Sequence, residues 1–235
     1  MDVKLVKSAI KKFAKKHQQT FYEIGSRLTQ LFELGGGIGV IQHHRAVGYD
    51  ISFAHPAKDN RFRIKASSRG HPCDYSRVIC HRKEEDFELH FNVATRGAHD
   101  DGVYVVDIGA VKKGTIPLIK PKGPWAGISN ESLITFAEVK KLTIYPMLLA
   151  QFVGIVHEIR PEFLDQPPPE GFGANAKMPP TLLALGNLSG NSHVILDGFQ
   201  HRGFTILVVP TFDMRLSRAA QDAQVSPLYM THAEI

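Results

Sequence analysis

Residues 103–111 read VYVVDIGAV, and this run constrains the fold more than any other segment. β-branched side chains at five of its nine positions set it as a strand, because two substituents on Cβ restrict χ1 and suit a pleated surface. After Tyr104 its single polar residue is Asp107. A carboxylate in a buried strand is costly unless it is paired or bound to a metal. A second strand is predicted over residues 133–142 (LITFAEVKKL), and it carries Glu138 and Lys140. Residues two apart on a strand project to one face, so these two side chains belong together. If the two strands are neighbours, Asp107 joins them at one edge of the sheet. Two carboxylates around a common point suit Mg²⁺ with several waters retained. An ammonium beside them can position or help deprotonate an attacking water and stabilise charge in the transition state. The competing readings are a strand-end ion pair for Asp107 and a water-exposed same-face pair for Glu138 and Lys140, each worth little. The isolation of Asp107 in an apolar run argues against them.

The surrounding elements alternate. Residues 2–34 carry apolar side chains at spacings of three and four (Val3, Val6, Ile10, Phe13, then Phe21, Ile24, Leu28, Leu31), which predicts a helix. Gly35-Gly36-Gly37 is expected to end it and open a flexible joint. Short strands are predicted at 49–55, 61–66, 77–81 and 87–95, and a long Pro/Gly-punctuated loop over 112–130. Residues 144–160 switch to helical periodicity, with Pro146 in the first turn. The proline-rich stretch 161–180 is a surface excursion; a strand at 182–187, a helix at 191–201 and a strand at 204–211 follow, and the tail from Arg215 is polar and frayed. Strand and helix alternating in the C-terminal half imply an α/β layer with some parallel pairing. With 235 residues the chain can bury one large core or two small ones. Its 22% charged and 43% apolar residues exclude collagen-like and disordered classes.

The order of these elements and the motif Asp107…Glu138-x-Lys140 resemble the PD-(D/E)XK nuclease superfamily, the restriction-endonuclease-like fold. That family's core runs helix, three strands, helix, strand, with an Asp at the end of the second core strand and Glu-x-Lys on the third. Val106 stands where the family's name has Pro, and the loop between Asp107 and Glu138 is long. The resemblance covers residues 87–160 and, more loosely, 182–211. It implies an α/β core over residues 87–235, with an N-terminal helix and an added β-rich insertion in residues 1–86 packed on it as one compact domain. It further implies a Mg²⁺-dependent endonuclease (Mn²⁺ substituting) that hydrolyses DNA, with RNA left open, in a prokaryotic defence setting. Asp107, Glu138 and the Val139 carbonyl would hold the metal, Lys140 would assist the water, and Glu88 would be an additional acid. Gln151 matches a polar residue that some members turn toward the site. Members commonly dimerise to cut both strands, and the lack of a separate sequence-reading region suggests a partner for targeting or activation. The same fold without catalysis, as a nucleic-acid-binding or assembly module, is the alternative.

Lys plus Arg number 28 against 23 Asp plus Glu, a mild bias toward polyanions. Lys112, Lys113, Lys120 and Lys122 of the long loop, Arg96 of the hairpin turn, and Lys4, Lys7, Lys11, Lys12, Lys15 and Lys16 of the first helix are the candidate phosphate contacts. Trp125 is a candidate to stack on a base or wedge a step, with packing as the other reading. His71, Cys73, Cys80 and His81 carry zinc-ligand chemistry at a spacing that matches no common finger, so free thiols with incidental histidines are preferred. His43 and His44, placed before a strand, would point to opposite faces and cannot serve one site. Two cysteines build no disulfide framework, the N-terminus lacks an apolar signal core, and no run of about 18 apolar residues occurs. These features predict a cytoplasmic protein without membrane attachment.

Overall fold

A computed structural model describes residues 3–16, 20–21, 28–56, 61–83, 85–165 and 178–212. The N-terminal third forms α1 (Val3–Lys16), β1 (Thr20–Phe21), α2 (Leu28–Ala46), β2 (Asp50–Ala54) and β3 (Arg61–Phe62). A meander follows: β4 (Arg77–Arg82), β5 (Glu85–Arg96), β6 (Val103–Lys112) and β7 (Leu133–Lys140). Then come α3 (Pro146–Ile159), β8 (Thr181–Ala184), α4 (Gly190–His201) and β9 (Leu207–Val209). The proline-rich residues 166–177 and the tail beyond 212 lie outside the described residues.

Seven strands make one sheet in the order β2-β4-β5-β6-β7-β8-β9, and β1 pairs with β3 separately. Pairing is antiparallel from β2 to β7 and parallel from β7 through β9, with α3 and α4 as the crossovers. The chain is therefore a mixed α/β protein with a mostly antiparallel sheet. The parallel pairing predicted for the C-terminal half is present at β7-β8-β9. The β-rich segment before residue 87 contributes β2 and β4 to the same sheet.

Each face of the sheet has its own apolar core. Ile10, Phe13, Leu31, Leu34 and Ile38 of α1 and α2 meet Phe87, Leu89, Phe91, Ile108, Ala137 and Val139 on one side. On the other, Leu149, Phe152, Val156 and Ile159 of α3 and Leu196 and Phe199 of α4 meet Val93, Val106, Phe136, Leu182 and Val208.

The triple glycine does not end a helix. α2 runs straight through Gly35, Gly36 and Gly37, and the break falls upstream, between α1 and α2. A Cβ on Gly36 would stand 2.5 Å from Val139 Cγ2, and one on Gly37 would enter the Phe91 ring. Helix propensity disfavours Gly by about 1 kcal/mol per residue. Here that cost is offset by the apolar burial that close approach of the helix to the sheet allows. His43 and His44 lie in the last turn of α2, not beside a strand, and both are buried. His44 sits edge-on to Tyr49 and Phe87, with ring centroids 5.5 and 4.9 Å away.

Candidate functional site

The β6–β7 ladder pairs Gly109 with Phe136 and Ile108 with Ala137, and it stops there. The next residues along are Asp107 and Glu138. In place of a further ladder pair, the Val139 N–H donates to Asp107 Oδ2 (2.8 Å), and the Asp107 N–H makes a long contact of 3.4 Å with Glu138 Oε1. Lys140 Nζ then lies 3.1 Å from Asp107 Oδ2 and 2.6 Å from Glu138 Oε2. The two carboxylates, 31 residues apart in sequence, thus converge on one cationic nitrogen.

The pleat changes phase at the same place. Phe91 and Ile108 face the α2-side core, whereas Val93 and Val106, two residues on, face the α3-side core. On a regular strand, residues two apart share a face. Between them the ladder skips Asn92 and Asp107, and Asn92 adopts φ +49°, the left-handed region that Asn tolerates better than most residues. Asn92 Nδ2 donates to Glu33 Oε2 (3.2 Å) and to the Lys65 carbonyl (2.9 Å). Lys65 Nζ, 2% exposed as a residue, donates back to the Asn92 carbonyl and to the Ser67 carbonyl, both at 2.7 Å. The irregular strand is thereby tied to α2 on one side and to the segment after β3 on the other.

Charge at this point is short of compensation. Burial, and then the neighbouring Asp107 charge, push the Glu138 carboxyl up to about 7 against the opposing pull of Lys140. Burial alone would lower the Lys140 ammonium, but Glu138 and Asp107 outweigh it and hold its pKa above the ordinary lysine value. Glu33 is also raised, by burial first and by Asp107 second, with Asn92 and Lys140 opposing. Glu33 thus belongs to the electrostatics of the site, although the sequence reading did not single it out. The signal was available: Glu33 is the only charged residue in LFELGGGIGVI, residues 31–41, the same isolation that marked Asp107.

Other expected site residues fall elsewhere. Glu88 pairs in register with Val111, four residues from Asp107 along β6, or about 13 Å at strand rise. It is buried against His90 (3.0 Å) and Arg77 (3.6 Å), so a structural ion cluster accounts for it. Gln151 is exposed on α3. Lys112 lies five residues beyond Asp107, about 17 Å, and Lys113 is salt-bridged to Asp86 (2.5 Å). Arg96 pairs with Val103 at the opposite end of the hairpin, so the basic residues do not form one patch beside Asp107. Lys120 and Lys122 are exposed in the long loop, as are Lys7, Lys11, Lys12 and Lys15 on α1. Trp125 is turned inward, edge-on to His71 with centroids 4.5 Å apart.

The four candidate zinc ligands do not assemble. Cys80 faces the α2-side core with no exposure, its thiol pushed up to about 12 by burial, while His81 points to the other side of β4 and bonds Asp86. His71 Nδ1 is taken by the Cys73 N–H (3.2 Å). Among the described residues no three His, Cys, Asp or Glu side chains are grouped to hold a metal; the site above brings together two carboxylates. No helix among them is long and apolar enough to cross a membrane. No protein-family profile matches the chain, and no curated protein or solved structure is significantly similar to it.

Proposed function

We propose that the chain is a metal-dependent nuclease of the PD-(D/E)XK type that hydrolyses phosphodiester bonds in DNA. The observation that carries the reading is the meeting of Asp107 and Glu138 on Lys140 Nζ where the β6–β7 ladder ends. The order of elements supports it: α2, the antiparallel meander β5-β6-β7, α3, then β8 parallel to β7 matches helix, three strands, helix, strand.

The donor set fits a hard divalent cation. Its donors are all oxygen, and the Glu138 carboxyl, raised first by burial and then by the Asp107 charge, gains from a cation beside it. Asp107, Glu138 and the Val139 carbonyl would hold Mg²⁺ or Mn²⁺. Once bound, the ion would polarise the phosphate and lower the pKa of its water. Lys140, one third exposed at its side chain, reaches from the buried acids toward solvent and is placed to orient the attacking water and meet charge developing on the phosphate. Glu33, fixed by Asn92, adds negative charge on the α2 side.

The test is cleavage of supercoiled plasmid with Mg²⁺, Mn²⁺ or EDTA, alongside Asp107→Asn and Lys140→Met. The reading requires metal-dependent cleavage that both variants lose. Equal cleavage by wild type and variants would refute the site. Salt-sensitive DNA binding without cleavage in any metal would assign the fold to a binding module instead.

A further inference from the structure

We propose that Leu118 and Ile119 form an apolar wedge that enters the base stack of the nucleic acid the chain acts on. This inference rests on the nuclease reading above for the kind of partner. Leu118 is 75% exposed and Ile119 83%, the two most exposed large apolar side chains among the described residues. They are adjacent, at the start of the exposed run 118–124 in the loop that joins β6 to β7.

The loop is built to hold that run out. Ile116 on its outgoing leg is 1% exposed and anchors it in the α3-side core. On the returning leg the Ile128 N–H donates to the Ala94 carbonyl and the Arg96 N–H to the Ile128 carbonyl, both at 2.9 Å. Gly127, at φ +81°, allows this approach, since a Cβ there would stand 3.0 Å from the Ala94 oxygen. Pro117, Pro121 and Pro124 fix φ around the pair, which limits the entropy lost when it inserts. The returning leg is therefore stitched to β5 two residues from Asn92, on the strand that neighbours β6 and its Asp107.

Charge selects the occupant. Residues 108–130 contain four lysines and no acid. Lys113 is engaged by Asp86, and Lys120 lies 3.8 Å from Asp74 with both side chains more than half exposed. Lys112 and Lys122 make no ion pair among the described residues. An apolar pair framed by lysines suits a polyanion with a stacked apolar interior: cations neutralise phosphates while the side chains part a base step. An apolar protein surface would leave the lysine frame unmatched. Trp125, whose ring packs on His71, is not available for this role.

The test is made in EDTA, so that hydrolysis does not enter. A fluorescein-labelled duplex of about 20 base pairs carrying 2-aminopurine is titrated with the full chain, and anisotropy reports binding while 2-aminopurine emission reports unstacking. Wild type is expected to bind and raise the emission several-fold. Leu118→Ser/Ile119→Ser is expected to bind about tenfold or more weakly and to abolish the rise. Both side chains are exposed, so circular dichroism and the melting temperature should be unchanged. Lys112→Ala/Lys122→Ala is expected to flatten the salt dependence by about two units of slope while the remaining complex still unstacks. Equal unstacking by the serine variant overturns the wedge, as does wild-type binding without unstacking or no binding at all. Loss of binding to phosphatidylserine vesicles in the serine variant, with DNA binding intact, also overturns it and assigns the pair to a membrane surface. Plasmid cleavage that needs Asp107 but ignores the serine change would sink the wedge alone. Loop-dependent unstacking without cleavage in any metal would sink the nuclease reading alone.

Discussion

The packing of α2 makes a prediction in which one substitution changes sign with position. Gly37→Ala adds a methyl group that would enter the Phe91 ring, and Phe91 is 4% exposed in a filled core. Overpacking of this kind costs about 1–3 kcal/mol. The gain in helix propensity returns about 1 kcal/mol. The net expectation is a destabilisation of about 0–2 kcal/mol, toward the upper end because the added carbon would fall 2.3 Å from a ring atom of Phe91. Gly154→Ala in α3 is the control, because no atom lies within 4 Å of a Cβ there. It should stabilise by about 0.5–1 kcal/mol. Equilibrium urea unfolding followed by circular dichroism, with unchanged m-values, gives both numbers. If Gly37→Ala stabilises as much as Gly154→Ala, α2 does not lie against Phe91, and the placement of Glu33 near Asp107 fails with it.

Three further outcomes follow from the charges and the strained strand. Glu138 titrates near 7 when folded and near 4.5 when unfolded, so the folded chain keeps a proton there that the unfolded chain has released. Stability should fall as pH rises through that window, and Glu138→Gln should remove the fall in metal-free urea titrations across it. His43 is pulled by burial from 6.5 to about 4, so stability should fall as pH drops through that interval, and His43→Leu should flatten this acid limb. Asn92→Gly loses the bonds to Glu33 and the Lys65 carbonyl but keeps the left-handed backbone, whereas Asn92→Ala loses both; thermal melts should place the Ala variant lower by about 1 kcal/mol.

The parts of this fold that were legible in the sequence are those with local causes. VYVVDIGAV and LITFAEVKKL announced β6 and β7 through β-branching, and Pro146 with the apolar spacing after it announced α3. Asp107, Glu138 and Lys140 were legible because charges in apolar strands demand partners, and they are in fact one another's partners. The parts that were missed depend on tertiary contact. A triple glycine has the same local preference whether it ends a helix or lets one lie flat on Val139 and Phe91, and only the sheet decides. Glu33 was obscured by that misreading, because a helix thought to end at Gly35 has no reason to pass over β6. The resemblance implies a site role for Glu88 as an acid that precedes Asp107. The register, which pairs it with Val111, could not be read from residue types alone.

A crystal grown with Mn²⁺ and scanned for anomalous scattering addresses the core of the account without reference to any substrate. A single manganese peak touching both the Asp107 and the Glu138 carboxyl groups, and missing from an Asp107→Asn crystal, is the predicted result. Manganese bound only elsewhere, or none at saturating concentration with the two acids still closed on Lys140, would contradict it.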